Sequence, residues 1–355
     1  MRVKSLLMGL ILITFHTVAI GSTTIASWNI RHLGYDRPTN FSHLAHVAQN
    51  FDIIAVQEVM DEKAIEQLTD QLNVQTSGEW QFMVSHAIGR GSYKEHYAFV
   101  WDSTEVEYLD GAVVFLDHRD VFSREPLSAR FKSLRTGQVF ALANVHVLYG
   151  DSVEDREPEI HALGDYWHWL GETYPGTARL LVGDFNYEPH MEAWDTLSAQ
   201  GARPAITQGG TTLSPHDGRF VSLYDNIWFN PQRLAHTSAG AFPFPEYLNI
   251  SHEQARSTVS DHLPVYIQLA DTPSPVTGRT AGTTMAAPAN SDDGNCIDLN
   301  RSDANTLSQL PHIGEGRAAL IIEERPWREV EHLQRISGIG VGRLRDIIDS
   351  DLLCQ

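Results

Sequence analysis

Cysteine is scarce, lysine nearly so, and no apolar run dominates the chain. The two cysteines, Cys296 and Cys354, are too few for a disulfide-stapled scaffold, and no Cys/His cluster has zinc spacing. They bracket the last segment, where in an exported protein one disulfide would close a small C-terminal module and contribute about 4 kcal/mol. Neither a G-x-S-x-G elbow nor a Walker sequence is present, so two common routes to hydrolysis are missing. Lysine occurs only at positions 4, 63, 94 and 132, and the formal net charge is −19. Such a surface repels nucleic acid at long range, so contact with a polyanion must come through metal ions and local arginines. The acidity serves equally well as a solubility feature in salty surroundings.

The 355 residues, 42% of them hydrophobic, leave room for one large domain and one small one and are enough for a real core. Residues 1–21 carry Arg2 and Lys4, an apolar run to about Phe15, and the small-residue site Ala19-Ile20-Gly21. That is the layout of a secretory signal, which predicts a secreted or periplasmic protein. An uncleaved anchor is the alternative, although the run is short for a membrane span.

From residue 22 to 270, short apolar runs alternate with amphipathic helical patterns. TIASWNI and DIIAVQEV read as strands with a helix over 41–49 between them, and a second helix covers 61–72. WQFMVSHA, HYAFVW, AVVFLD, LSARFKSL and VFALANVHVL follow as strands. Helices are predicted over 154–171 and 188–199 on either side of LLVGDFN, and SLYDNIWF and HLPVYIQL close the series. This pattern predicts an α/β fold of two sheets packed face to face, helices outside. Residues 271–295 lack periodicity and read as a flexible linker whose ends lie on the order of 25 to 30 Å apart. Residues 296–355 form a separate helical unit with an internal duplication.

LLVGDFN organises the site. Its apolar half ends abruptly, and period-two alternation puts Asp184 and Asn186 on one side of the strand end, a pairing that suits a hard divalent cation. A turn or helix cap is the plain alternative for those two residues alone. Other apolar runs end in Asn29, Glu58, Glu95, His146, Asp225, and Asp261 with His262. Converging at one mouth, these residues would offer oxygens for a metal, two imidazoles for proton transfer and carboxylates to orient them, the inventory of phosphodiester cleavage.

WNI, QEV, YKEHYAFVW, SREP, NVH, GDFN, YDNI and SDHLPV stand in the order seen in the DNase I family, which this stretch from about Thr23 to Leu269 resembles. The resemblance implies the four-layer α/β sandwich of the endonuclease/exonuclease/phosphatase superfamily. It implies Asn29, Glu58, Asp184, Asn186 and Asp261 around metal and phosphate, with Mg²⁺ or Mn²⁺ as cofactor and Ca²⁺ as a further candidate. His146 held by Glu95 would protonate the leaving O3′, and His262 held by Asp225 would activate water. Arg31, Tyr93 and Arg124 would grip DNA. Two departures stand out: Met60 replaces the arginine that vertebrate members send into the minor groove, and Tyr187-Glu188-Pro189 lacks their cysteines.

In the last unit, LSQLPHIGEGRAALII and HLQRISGIGVGRLRDII each show helical spacing around a glycine hairpin. Such turns leave N–H groups free to hold phosphate. The unit resembles the paired helix-hairpin-helix domain of the ComEA type, which holds DNA without reading sequence. Gly314, Gly316, Arg317, Gly338, Gly340, Gly342 and Arg343 are the candidate DNA contacts, with His312 standing where a glycine is usual. A protein-docking or purely structural pair of hairpins is the alternative. The expectation is therefore a monomeric, exported, metal-dependent endodeoxyribonuclease, free of the membrane after signal cleavage, with a DNA-holding module. A phosphodiesterase or phosphatase on lipid or nucleotide substrates and a non-catalytic DNA-capture protein are the competing readings.

Overall fold

The computed structural model describes residues 22–35, 37–270 and most of 297–353. The candidate signal, the whole linker of residues 271–295, Cys296, Cys354, Gly338 and Gly342 lie outside the described residues. The chain forms two compact units, 1–277 and 278–355.

In the first unit the strands are β1 (Thr24–Leu33), β2 (Ile53–Val59), β3 (Trp80–Val84), β4 (His96–Asp102), β5 (Val106–Val114), β6 (Leu127–Ser133) and β7 (Val139–His146). They continue as β8 (Ala178–Asp184), β9 (Arg203–Pro204), β10 (Thr212–Leu213), β11 (Phe220–Val221), β12 (Asp225–Phe229), β13 (His236–Ala241) and β14 (Val265–Leu269). The helices are α1 (Phe41–Ala48), α2 (Glu62–Gln75), α3 (Glu157–Thr173), α4 (Asp195–Ser198), α5 (Phe244–Tyr247) and α6 (His252–Thr258). Local chemistry sets several boundaries. Asn40 and Asp61 cap α1 and α2 by accepting from the N–H groups of His43 and Lys63, and a proline opens α3.

One sheet runs β13-β14-β1-β2-β4-β3 and the other β5-β6-β7-β8-β12-β9, with β10-β11 a separate hairpin. Three apolar clusters define the layers. Ile53, Phe99, Phe131, Phe140, Leu180 and Ile227 fill the space between the sheets. Trp28, Leu44, Ile65 and Leu72 join the first sheet to α1 and α2, while Ile160, Leu163, Trp167 and Trp228 join the second to α3. Helix, sheet, sheet and helix make a four-layer α/β sandwich, and each large side chain buried this way contributes roughly 1.5 to 3 kcal/mol.

The expected helix over 188–199 is only a 3-10 turn (Glu192–Trp194) followed by the single turn α4. Pro189 and the packing of Trp194 on Trp228, centroids 4.2 Å apart, account for a short element pinned by its aromatic ring. β13, α5, α6 and the β10-β11 hairpin have no counterpart in the sequence reading. β13 is the edge strand HTSAGA, whose small and polar residues carry no alternation.

The second unit holds α7 (Ala304–Leu307), α8 (Glu315–Glu323) and a 3-10 segment (Val330–Arg335) around Leu307, Ile321, Trp327, Leu333 and Ile339. Ile297 and Leu353 form a parallel bridge that brings the two ends of the unit together. His312 adopts φ +63°, the left-handed conformation for which glycine is favoured, and so performs the turn that its missing glycine would.

Candidate active site

Irregular backbone in the first sheet aims the site residues. The β1-β2 register shifts between Asn29 and Leu33, and the β2-β4 register shifts between Val56 and Val59. Arg31, His32 and Glu58 take φ of +46°, +49° and +57°. Left-handed non-glycine residues cost of order 1 kcal/mol or more each, and bulges of this kind re-aim side chains beside active sites. The backbone N–H of His32 donates to Glu58 Oε2 at 2.9 Å, which fixes that carboxylate.

The second sheet contributes a straight row. His146 at the end of β7 pairs in register with Asp184 at the end of β8, and Asp184 with Asp225 at the start of β12. Gly183 makes the row possible: its φ is +154°, and a Cβ there would lie 1.8 Å from the Val145 carbonyl oxygen.

Two histidine–carboxylate pairs then cross between the sheets. His146 Nδ1 lies 2.7 Å from Glu95 Oε1, just before β4, and His262 Nδ1, just before β14, lies 2.9 Å from Asp225 Oδ2. Asp184 Oδ2 sits between them, 3.7 Å from both His146 Nε2 and His262 Nδ1. The histidine backbones are held as well. Tyr97 Oη accepts from the His146 N–H at 2.8 Å, and Trp28 Nε1 donates to the His262 carbonyl at 2.8 Å. Ser260 Oγ accepts from the His262 N–H.

Burial shapes the titration of these groups. For His146, burial and Arg124 pull the imidazole down, but Glu95 and Asp184 outweigh them and it rises above its ordinary value. Burial opposes His262 too, yet Asp225 and Asp184 raise it well above that value. Burial pushes Glu95 up, while His146 and Arg124 more than reverse this and hold it low. Asp225, also fully buried, is pushed up to about 6 by burial, with Asp184 adding to the rise against the pull of His262.

The acidic side of the mouth matches a hard cation. Asn29 Nδ2 donates to Glu58 Oε1 at 2.9 Å and to Asp184 Oδ2 at 3.1 Å, clamping two carboxylates together. Among the described residues, the buried Asp225 Oδ1 finds no hydrogen-bond partner. Closely spaced oxygens with too few cations around them suit Mg²⁺, Mn²⁺ or Ca²⁺. Asp184, Asp225 and His262 also present ligand atoms within 4.8 Å of one another, but His262 Nδ1 is already committed to Asp225, which favours orientation over ligation for that nitrogen. Asp261 lines the same pocket of about 490 Å³, with Arg31 at 3.5 Å and Arg256 at 3.2 Å. Asn186, at φ +50°, turns its amide to the Val147 carbonyl.

Comparison with known proteins places this geometry. Residues 26–262 match the model of the Endonuclease/Exonuclease/phosphatase family. The chain belongs to the endonuclease/exonuclease/phosphatase family. A deoxyribonuclease of Thioalkalivibrio sp. (strain K90mix) is 43% identical over 347 residues, covering 95% of this chain and 94% of its own, so the likeness extends past the sandwich. Deoxyribonuclease-1 of Oryctolagus cuniculus is 31% identical over 70% of this chain and 93% of its own. A solved member from Bacteroides thetaiotaomicron shares the fold with TM-score 0.53 at 18% identity, covering 70% of this chain and 98% of its own.

Within this family frame the three expected grip residues occupy different settings. Tyr93 is 42% exposed, with its hydroxyl 3.2 Å from Glu95 Oε2. Arg31 is half-exposed beside Asp261. Arg124 is 7% exposed, and its Nε and Nη2 donate to the carbonyls of His146 and Val147, so most of its hydrogen-bonding capacity serves the protein. Sequence reasoning missed Tyr97, Trp28, Ser260 and Arg256. Trp28 and Ser260 flank motif residues, which was the available signal, whereas α6, which carries Arg256, had none.

Proposed function

We propose that this chain is an exported, metal-dependent endodeoxyribonuclease that hydrolyses phosphodiester bonds of extracellular DNA with little sequence preference. The observation that carries the reading is the pair of carboxylate-backed imidazoles bracketing Asp184 inside one pocket. In-line displacement needs a base on one side of phosphorus and an acid on the other. His262, with its Nδ1 committed to Asp225, takes the proton of the attacking water at Nε2. His146, with its Nδ1 committed to Glu95, delivers a proton from Nε2 to the leaving O3′ oxygen. The division of roles follows the resemblance to the DNase I family, and the carboxylate on each Nδ1 supports it by leaving each Nε2 to exchange the proton. Asn29, Glu58 and Asp184, with Asn186 and Asp261 alongside, would hold Mg²⁺ or Mn²⁺, and Ca²⁺ uses the same kind of oxygen donor. Such an ion supplies charge stabilisation for the oxygens around phosphorus.

The deoxyribonuclease names of the two relatives support DNA as the substrate. The N-terminal layout supports export, release from the membrane and a secreted or periplasmic location. In the second unit, the left-handed turn at His312 and the open space around Gly314, Gly316 and Gly340 support a hairpin that admits a phosphate backbone. The Ile297–Leu353 bridge supports pairing of the neighbouring cysteines. The enzyme is proposed to act as a monomer. Incubation with supercoiled plasmid in Mg²⁺ and in EDTA tests the reading: nicking in Mg²⁺ alone is expected, and DNA binding without nicking under both conditions contradicts it.

A further inference from the structure

A large aromatic side chain stands in the open at the edge of the catalytic pocket. Tyr149, three residues past His146, lines that pocket together with His146 and His262 and is 60% exposed. Its backbone is pinned on both sides. The Leu148 N–H donates to Glu159 Oε2 at 3.2 Å, and Asp155 Oδ2 accepts from the N–H groups of Asp151 and Ser152 at 2.8 and 2.9 Å. Between them Gly150 takes φ +65°, and a Cβ there would lie 2.6 Å from the Asp155 Cβ, so the loop has closed too tightly for a larger residue. Arg156, only 4% exposed, braces the ring itself. It spends its hydrogen bonds on uncharged acceptors: Nε on the Tyr149 carbonyl at 2.7 Å, and Nη1 on the Asn186 carbonyl and, at 3.3 Å, on the Tyr224 hydroxyl. Its guanidinium carbon lies 4.4 Å from the centroid of the Tyr149 ring and 5.4 Å from that of Tyr224. Burying a guanidinium with no carboxylate among its hydrogen-bond partners is unfavourable. What it secures is an aromatic ring with one face occupied by the cation, so the exposed surface of Tyr149 belongs to the opposite face and the edge.

A ring already fixed in place loses little freedom on binding and offers a flat apolar surface. At the mouth of a pocket that cuts a nucleic-acid strand, the flat group available to cover it is a nucleobase. We propose that Tyr149 is a stacking site for an unpaired nucleobase next to the scissile phosphate. A base inside an intact duplex is already stacked on its neighbours and must be unpaired before it can reach the ring. The site therefore favours single strands, mismatches and frayed ends over perfect duplex. Every base has a π face, so this contact adds no sequence preference. The inference rests on the nuclease reading above and narrows its substrate.

The test uses the full-length protein and single-stranded oligonucleotides in which one base at a time is removed on either side of a mapped cut, with sugar and phosphate kept. Wild type should lose about tenfold in kcat/KM at one position, equivalent to about 1.4 kcal/mol. Tyr149→Ala should lose about as much on the intact strand and less than about twofold more when that base is removed, as expected when one contact is deleted from either side. Tyr149→Phe should behave as wild type, because stacking needs the ring and not the hydroxyl. On duplex substrates, a single mismatch at the cut should raise wild-type cleavage by about tenfold and that of Tyr149→Ala by less than about threefold. If plasmid is nicked but base removal costs nothing at any position, or costs the same in wild type and in Tyr149→Ala, the stacking site is wrong and the nuclease reading stands. A rate loss in Tyr149→Ala with no base-removal penalty in wild type identifies a sugar contact and also overturns the base site. If no DNA is cut at all, both readings fall together.

Discussion

His146 with Glu95 and His262 with Asp225 look like one device used twice, but their surroundings differ. Each pair joins a residue of one sheet to a residue of the other, with the order reversed: the histidine comes from the second sheet in the first pair and from the first sheet in the second. Glu95 has Arg124 at 3.6 Å and the Tyr93 hydroxyl as further partners and is held low. Asp225 has no arginine, keeps an unpartnered Oδ1, and is pushed up to about 6 by burial. A buried carboxylate with a cation is a structural ion pair as well as a catalytic aid, whereas one without a cation exists at the expense of stability and serves the imidazole. The two pairs therefore differ in what braces the carboxylate: a guanidinium and a hydroxyl hold Glu95, and among the described residues no guanidinium holds Asp225.

The largest effects should come from the imidazoles themselves. His146→Ala and His262→Ala should each lower plasmid nicking by roughly 10³-fold or more, yet leave DNA retention on a filter or gel unchanged. Loss of retention in either variant would break the division between chemistry and holding. The carboxylates sharpen the comparison. Asp225→Asn should cost roughly 10²- to 10⁴-fold in rate through loss of imidazole orientation, with little change in urea unfolding. Glu95→Gln should lower the rate too, and should also destabilise the fold by about 3 kcal/mol because it strands the buried Arg124 charge. Equal unfolding midpoints for these two variants would erase the distinction drawn between the pairs.

Ending the chain after Asp271 should weaken retention by roughly tenfold or more through lost effective concentration, with the rate on short oligonucleotides unchanged. The smallest effect lies away from the mouth. Burial raises the Asp117 carboxyl, but the N–H groups of Phe122, Arg119 and Val121 more than offset it and hold it below the ordinary range. A depressed carboxylate stabilises the fold above its unfolded value near 3.9, and that contribution disappears as pH falls through the folded value. Asp117→Asn should therefore lower stability at pH 7 by no more than roughly a few tenths of a kcal/mol, because solvent screens this mostly exposed group, with the gap from wild type closing in acid, as thermal melts at pH 7 and pH 3 would register.

Much of the sandwich was readable because its strands are short apolar runs stopped by polar residues. Glu58, His146 and Asp184 are such stops, whereas Asn29 lies inside β1 and Asp225 opens β12. Glu58, His146, Asp184, Asp261 and His262 line one pocket, with Asn29, Glu95 and Asp225 hydrogen-bonded to its wall. Where no apolar run exists, nothing was readable. β13, with its small polar residues, and α6, a two-turn helix carrying Arg256, are held in place by neighbouring strands and loops rather than by any periodicity of their own. The setting of Arg124 was equally hidden, since its donors reach the carbonyls of His146 and Val147, 22 and 23 positions along the chain.

The chain's own pattern determined which residues stand at strand ends and which chemistry they can perform, because alternation and abrupt polarity changes are properties of consecutive residues. Only the tertiary structure decided which carboxylate serves which histidine. Glu95 lies 51 positions from His146 and Asp225 37 from His262, and both pairings depend on two sheets closing on a common core. No local periodicity encodes contact across that separation; burial of the apolar faces between the sheets does.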